Sequence, residues 1–332
     1  MKTFYRTTIV LCLFLTMVFL TSGIVTAALD NPWYEEKQVP NMGLSGSPAI
    51  ITSEATVYCF HQGSVDNNVL LCTIMYPWGQ GFSNDILIPN VKTLSSPALV
   101  RYSNDYKLYC FHRGIGNTVS YFTCVPYSTV PYSTSDKQNV VPFTVTSGDI
   151  QIPNVSTSGT PAVTEFNGKL YCFYPGSVDK NVLLYTTFDG KTWTKDKQVP
   201  NMSLSGSPSV AVYGGKLYCF YQGSVDNNAL LYITFDGNKW DAHDTLIPNV
   251  KTLSSPALVV YGDLYCFHRG IEDTVSYFTL NDLVDEHIPN VGTSGTPAVS
   301  TYYGLYCFYP GSMYKNVLLY TASPSRLVPR SI

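Results

Sequence analysis

One unit recurs six times along this chain, and that period limits the fold more than any single motif does. Each unit carries a Pro-Asn step: Pro40-Asn41, Pro89-Asn90, Pro153-Asn154, Pro200-Asn201, Pro248-Asn249 and Pro289-Asn290. The asparagines lie 49, 64, 47, 48 and 41 residues apart. A Ser/Thr-Pro step and a short apolar run follow each one: SPAIIT, SPALVRY, TPAVTEF, SPSVAVY, SPALVVY and TPAVSTY. Then come a Tyr-Cys-Phe run, a polar turn, an alternating run rich in Leu and Tyr and, in some units, a run led by Trp. Lys216 to Asn249 holds one complete copy. The runs have strand length, alternate, and are separated by Gly, Asn and Asp, so each unit is expected to form four short strands. The Pro-Asn step is read as the turn that closes the unit.

A second level of repetition lies above the first. QVPNMGLSGSP at Gln38 returns as QVPNMSLSGSP at Gln198, and LIPNVKTLSSPAL at Leu87 returns at Leu246. IPNVSTSGTPAV at Ile152 returns as IPNVGTSGTPAV at Ile288. The chain reads as three units, duplicated.

A single small antiparallel sheet cannot bury both its faces. Sheets stacked radially and closed into a ring cover one another, and four-stranded units of this period suit the blades of such a ring. The expected fold is therefore all-β: a six-bladed β-propeller of four-stranded blades, with the Ser/Thr-Pro run innermost. The sixth unit stops at Ala322 without a Trp-led strand, whereas WYEEKQVP, Trp33 to Pro40, precedes the first unit. Trp33 stands eight residues before Asn41, as Trp193 does before Asn201. The N-terminal strand is thus expected to complete the last blade. The tail Arg326 to Arg330 resembles the KQVPN end of a blade and is a competitor for that edge.

Lys2 and Arg6, the apolar run Ile9 to Leu20 and the small residues Val25-Thr26-Ala27 read as a secretory signal peptide over 1–28. That leaves one propeller domain over 29–332, with an insertion at 127–149 in the second blade. No later segment is apolar enough to span a bilayer, so stable membrane insertion is not expected. A secreted, extracellular protein follows. The sequons Asn154-Val155-Ser156 and Asn201-Met202-Ser203 make Asn154 and Asn201 candidate glycosylation sites. Cys59, Cys110, Cys172, Cys219, Cys266 and Cys307 fill one slot of the repeat, which reads as buried packing. Cys72 and Cys124 fall off that pattern, in corresponding strands of neighbouring units, and are the pair that could bridge in an oxidising compartment.

Only 13% of residues are charged, and the net charge of −3 offers no basic footprint for nucleic acid. The acids fall mostly at turn positions, where Asp closes a turn through its own backbone. No pair of carboxylates stands out for glycoside hydrolysis. His61, His112 and His268 occupy equivalent strands of different units and do not converge on a metal. No catalytic residue, metal or cofactor is assigned. The FDG-x-x-W elements ending at Trp193 and Trp240 resemble a shortened sialidase Asp-box, which is a structural turn rather than a catalytic motif.

Binding is the better reading. Sugars are held in shallow clefts by an aromatic face and by planar polar groups. Each unit offers such residues just after Tyr-Cys-Phe: His61-Gln62, His112-Arg113, Tyr174-Pro175, Tyr221-Gln222, His268-Arg269 and Tyr309-Pro310. The turns that follow add Asp66, Asn67, Asp179, Asp226 and Asn227. The candidate ligand-binding set is Gln62, His112, Arg113, Gln222, His268 and Arg269, with Trp33, Trp193 and Trp240; Trp78 aligns less well. The same residues also read as strand ends and as blade-to-blade packing.

Asp226 to Gly270, DNNALLYITFDGNKW followed by LIPNVKTLSSPALVVYGDLYCFHRG, resembles the repeat of the bacterial bangle lectins, which are fucose-binding propellers. The likeness recurs from Trp33 to Ala322. Those lectins have seven blades; six is the count of the fungal fucose-binding propellers. The resemblance implies a non-catalytic, polyvalent lectin for fucose-containing or related glycans on cell surfaces or glycoproteins. It makes Arg113 and Arg269 the best-placed arginines, a role Pro175 and Pro310 cannot fill. The alternatives are a propeller scaffold for protein or matrix and, third, a glycan-processing hydrolase. A homo-oligomer is compatible with all three.

Overall fold

The structure is a computed structural model and describes residues 33–53, 56–64, 68–76, 81–127, 143–224, 228–313 and 316–324. The segment 1–28 expected to be a signal peptide, most of the insertion and the tail from 325 lie outside them. The described chain forms six antiparallel sheets and no helix.

Blade one comprises Ala49–Ser53, Thr56–Gln62, Val69–Met75 and Ile86–Lys92, in that order from inside to outside. Blade two comprises Ala98–Arg101, Leu108–Arg113, Thr118–Pro126 and Ile150–Ser156, and Phe143–Val145 adds a short fifth strand beside Thr118–Pro126. Blade three is Ala162–Phe166, Lys169–Pro175, Leu183–Phe188 and the two-residue Lys197–Gln198. Blade four is Leu204–Tyr213, Lys216–Gly223, Ala229–Phe235 and Thr245–Lys251; blade five is Ala257–Tyr261, Asp263–Arg269, Thr274–Thr279 and Glu286–Gly292. Blade six joins Ala298–Thr301, Gly304–Pro310 and Val317–Pro324 to the N-terminal strand Lys37–Gly43, which pairs Lys37 with Tyr320 and Gln38 with Leu319.

Six buried apolar clusters hold the ring together, one at each junction between neighbouring blades. The junction of blades six and one packs Val39, Met42 and Leu44 with Val57, Cys59, Phe308 and Leu318, so the two ends of the described chain share one core. Near the axis the Ser/Thr-Pro steps line a channel of about 200 Å³. There the Thr296, Ser47, Thr160 and Ser207 amides donate to the Ser47, Ser96, Ser207 and Ser255 hydroxyls of the next blade.

In five of the six blades the Pro-Asn step is not a turn, which corrects the sequence reading: it lies inside the outermost strand, as a bulge. In blade three Pro200-Asn201 does form a turn, just past Lys197–Gln198. Leu71 pairs with Leu87 and Val69 with Lys92, so three residues of the third strand face six of the fourth. Asn90, Asn154, Asn201, Asn249 and Asn290 stand at φ between 55° and 62°, a left-handed conformation that Asn tolerates better than most residues. Pro lacks the N–H that an inner strand would need and is at home on an edge.

Candidate functional site

Strands two and three of every blade meet in a turn on one face of the disc, and the crossovers from each outer strand to the next inner strand lie on the same face. The residues singled out after Tyr-Cys-Phe end strand two here. The first of each pair is fully buried and reaches sideways to an acid that leads into the outer strand. His61 Nε2 lies 3.1 Å from Asp85, His112 Nε2 2.9 Å from Asp149, and His268 Nε2 2.9 Å from Asp285. A carboxylate only accepts, so Nε2 carries the proton. In the other blades Tyr takes over: Tyr309 donates to Glu36 at 2.7 Å, and Tyr221 donates to Asp244. Burial, then the Asp196 charge, raises the Tyr174 pKa in blade three.

This clasp was missed at the sequence level, although its signal was present. Glu36, Asp85, Asp149, Asp196, Asp244 and Asp285 each stand five residues before the asparagine of a Pro-Asn step. Read singly they look like turn acids; only alignment of all six units separates them.

The second residue of each pair ties the crossovers. Its carbonyl accepts from the incoming one: Ser45 N to Gln62, Leu94 N to Arg113, Leu253 N to Arg269 and Ser294 N to Pro310. In four blades its side chain also holds the outgoing one. Gln62 donates to the Thr93 carbonyl at 2.9 Å and Gln222 to the Thr252 carbonyl at 2.8 Å. Arg113 donates to the Ser158 carbonyl at 2.8 Å and Arg269 to the Ser294 carbonyl at 2.9 Å. The rest of each group is turned to its own turn: Gln62 to Asn68, Gln222 to Asn228, Arg113 to Asn117, and Arg269 to Asp273 in an ion pair at 2.6 Å. Pro175 and Pro310 precede the two LSGSP crossovers, where a buried leucine, Leu204 or Leu44, replaces the threonine.

The tryptophans lie between blades. Trp193 meets Phe111 and Tyr121 of blade two with ring centroids 5.8 Å away. Trp240 meets Phe173 and Tyr185 of blade three at 5.9 and 5.8 Å, and Trp33 meets Phe267 and Tyr277 of blade five at 5.8 and 5.6 Å. Phe143 does the same to Tyr58 and Phe60, and Phe82 to Tyr320. The shortened Asp-box turns close as expected: Asp189 Oδ1 accepts from Lys191 and Thr192, and Asp236 Oδ1 from Asn238 and Lys239. These backbone donors, Thr192 and Lys239 foremost, lower the two carboxyl pKa values. Cys72 and Cys124 are both buried free thiols. Asp66, Asn67, Trp78, Asp226 and Asn227 lie outside the described residues.

An open cleft does form at the junction of blades four and five. Its volume is about 340 Å³, and it is lined by Asn249 and Lys251 of blade four with Gly270 to Glu272, Thr274, Ser276 and Asp285 to His287 of blade five. Asp285 is fixed from behind by His268, while Glu286 accepts from Tyr277 at 2.7 Å. Carboxylates, hydroxyls, an amide and an ammonium thus converge on one concavity beside the exposed Ile271. Of the expected ligand set, none lines this cleft directly. His268 stands behind it, and Arg269 points the other way, toward blade six.

No protein-family model matches the chain, and no curated protein does either. Solved structures match the fold. AofleA from Arthrobotrys oligospora superposes with a TM-score of 0.62 at 13% identity, over 86% of this chain and 84% of that one. The SapL1 lectin, solved in complex with α-methyl fucoside, gives 0.61 at 9% identity, over 88% and 100%. The Aleuria aurantia lectin, described as a six-bladed β-propeller with its own fucose recognition mode, gives 0.59 at 12% identity, over 88% and 100%. A Trypanosoma rangeli sialidase also matches, at 0.58 and 12% identity, over 85% of this chain and 55% of that one. At such identities the likeness is one of fold: that of the six-bladed fucose-binding lectins.

Proposed function

We propose that this chain is a secreted, non-catalytic lectin that binds neutral glycans, fucose-containing ones first, in clefts between blades. The observation that carries this reading is the cleft between blades four and five. It offers sugar hydroxyls both acceptors and donors, and Ile271 supplies an apolar wall. Its two acids nearest the frame, Asp285 and Glu286, are already held by His268 and Tyr277, so they are pre-oriented acceptors. The shared fold with fucose lectins supports the same conclusion. Repetition around the ring would multiply weak single sites into avidity on a glycan-bearing surface.

Arg113 and Arg269 enter this reading as residues that set the shape of the face rather than as the cleft's own lining. The 1–28 segment directs the chain to the exterior in this proposal. Asn154 and Asn201 then carry glycans on exposed outer bulges; attachment at Asn201 would replace its 3.0 Å bond to the Ala242 carbonyl.

The test is a glycan array probed with the chain from Leu29 onward, beside a Lys251→Ala/Glu272→Gln/His287→Ala variant. These three side chains are exposed, so the variant should melt like the parent. Binding to fucosylated glycans that falls at least tenfold in the variant supports the reading. A correctly folded parent that binds no glycan sinks it and leaves the scaffold alternative.

A further inference from the structure

The turns between strands two and three share an unexplained feature. Each places a large apolar residue at its tip: Ile115, Val178, Ile271 and Met313 in blades two, three, five and six. Their side chains are 56%, 99%, 52% and 89% exposed. Val65 and Val225 occupy the same sequence slot in the other two units and lie outside the described residues. A scattered surface hydrophobe is ordinary. An apolar residue in this turn in every unit, exposed in the four that are described, is not, because packing gives no reason to keep it apolar.

Several polar neighbours of these tips are tied to the turn itself: Asp179 Oδ1 accepts from the Asn181 amide at 3.0 Å, Asp273 is held by Arg269, and Asn117 by Arg113. Lys180 and Glu272 stay exposed beside Val178 and Ile271. The apolar side chain is left standing in solvent at each of the four tips. Blades two and five stand opposite each other in the ring, as do three and six, so the four tips span the whole face. The matching partner is flat across that span and accepts separate apolar side chains with polar gaps between them. A protein interface needs a contiguous apolar core; the headgroup boundary of a lipid layer does not. Among the described residues, the two arginines on this face are already bonded and the exposed Lys180 is offset by the exposed Glu272, which favours a zwitterionic layer over an anionic one.

We propose that this face docks on a zwitterionic lipid surface, with Ile115, Val178, Ile271 and Met313 entering the headgroup boundary while the cleft takes the sugar of a glycolipid. The second half rests on the sugar-binding reading. Ile271 belongs to both features, since it lines the cleft and forms a tip, so a sugar held there sits beside the lipid contact.

The probe is an environment-sensitive fluorophore on Val178→Cys; the eight cysteines of the described residues are buried, so the new thiol labels selectively. The second protein is an Ile115→Ser/Val178→Ser/Met313→Ser variant, which leaves Ile271 of the cleft in place, checked for an unchanged melt. Both are tested on phosphatidylcholine vesicles with and without a fucosylated glycolipid, and on the same glycan fixed to glass. The expected result is a blue shift of the probe on glycolipid vesicles. The serine variant should lose at least tenfold in vesicle affinity and less than threefold on glass. An unshifted probe on vesicles that hold the protein overturns the proposal, and so does equal vesicle binding by parent and serine variant. Should glass and glycolipid both fail to bind, the sugar reading falls. Plain vesicles at high lipid then decide the tips alone: a blue shift keeps them and no shift removes them. A parent dimer that the serine variant dissociates, seen by sedimentation, also overturns it in favour of a second copy.

Discussion

The junction of blades four and five and the junction of blades one and two are built on one frame. Asn249, Lys251, Gly270, Ile271, Thr274, Ser276 and Asp285 of the first correspond to Asn90, Lys92, Gly114, Ile115, Thr118, Ser120 and Asp149 of the second. The buried His–Asp clasp is present in both at 2.9 Å, and the same Arg reaches the same crossover carbonyl. The junctions differ at three positions that face outward. Glu272, Glu286 and His287 stand where Gly116, Ile150 and Gln151 stand in the other. Duplication has kept what holds the backbone and varied what a ligand would meet. The two junctions therefore separate structural residues from recognition residues within one molecule.

The largest expected effect tests the frame. Phe122→Ala and Phe278→Ala each empty a fully buried site at these two junctions and should each cost about 3–5 kcal/mol in chemical denaturation. Similar losses keep the junctions equivalent; a difference above about 2 kcal/mol would show that one half carries the ring.

Next comes the clasp. His112→Leu and His268→Leu leave a buried side of Asp149 or Asp285 without its donor and should each cost about 1–3 kcal/mol. His268→Tyr should restore most of that, because Tyr fills the slot in blades three, four and six. A tyrosine variant as weak as leucine would mean that the clasp is not interchangeable around the ring.

The third prediction moves recognition alone. Ile150→Glu/Gln151→His, with Gly116 kept because its backbone stands at a φ of 90°, should give the junction of blades one and two the ligand range of that of blades four and five, read in titration calorimetry as one more site of comparable affinity. The reverse exchange at Glu272, Glu286 and His287 should weaken binding about tenfold, or about 1.4 kcal/mol. Unchanged stoichiometry in the first variant would place recognition elsewhere.

The smallest effect is with pH. Burial, then the Asp263 charge, pushes the Tyr265 phenol up to about 12 from an ordinary value near 10, and burial raises its counterpart Tyr109 as well, helped by the bond to Asp105. The unfolded chain releases these protons first. Stability is thus full below about pH 10 and declines as pH rises toward 12, with spectroscopic phenol ionisation lagging that of a free tyrosine. Early ionisation in only one of the two blades would distinguish them.

The blade count, the strand order and the pairing of the two chain ends were legible because each rests on repetition, and repetition needs no knowledge of contacts. Trp33 gave away the N-terminal strand by standing eight residues before Asn41, the distance from Trp193 to Asn201. The Pro-Asn steps were placed correctly and, in all blades but the third, misread in kind. Pro and Asn form turns and edge bulges for the same backbone reasons, and only the pairing of Val69 with Lys92 tells them apart. The site was less legible. Arg269 and Gln222 are polar strand-end residues, and nothing local says whether such a group faces a ligand or a neighbouring carbonyl. The cleft itself joins Lys251 of blade four to Glu272 of blade five, and nothing local in the sequence sets the two side by side.

The sheet that joins Lys37–Gly43 to Val317–Pro324 has a consequence for synthesis. The strand that leaves the ribosome ahead of every other pairs with one that leaves last. Blades one to five can each form as their own strands emerge, but the junction of blades six and one must wait for the whole ring to be translated. Until then Val39, Met42 and Leu44 have no core to enter, and the first blade has an uncovered face. At the usual pace of translation that wait is on the order of tens of seconds. Over that interval the nascent chain depends on whatever holds an unpaired strand in solution, and a chain that stalls near its end would be released as an open, sticky arc rather than a slightly shorter ring.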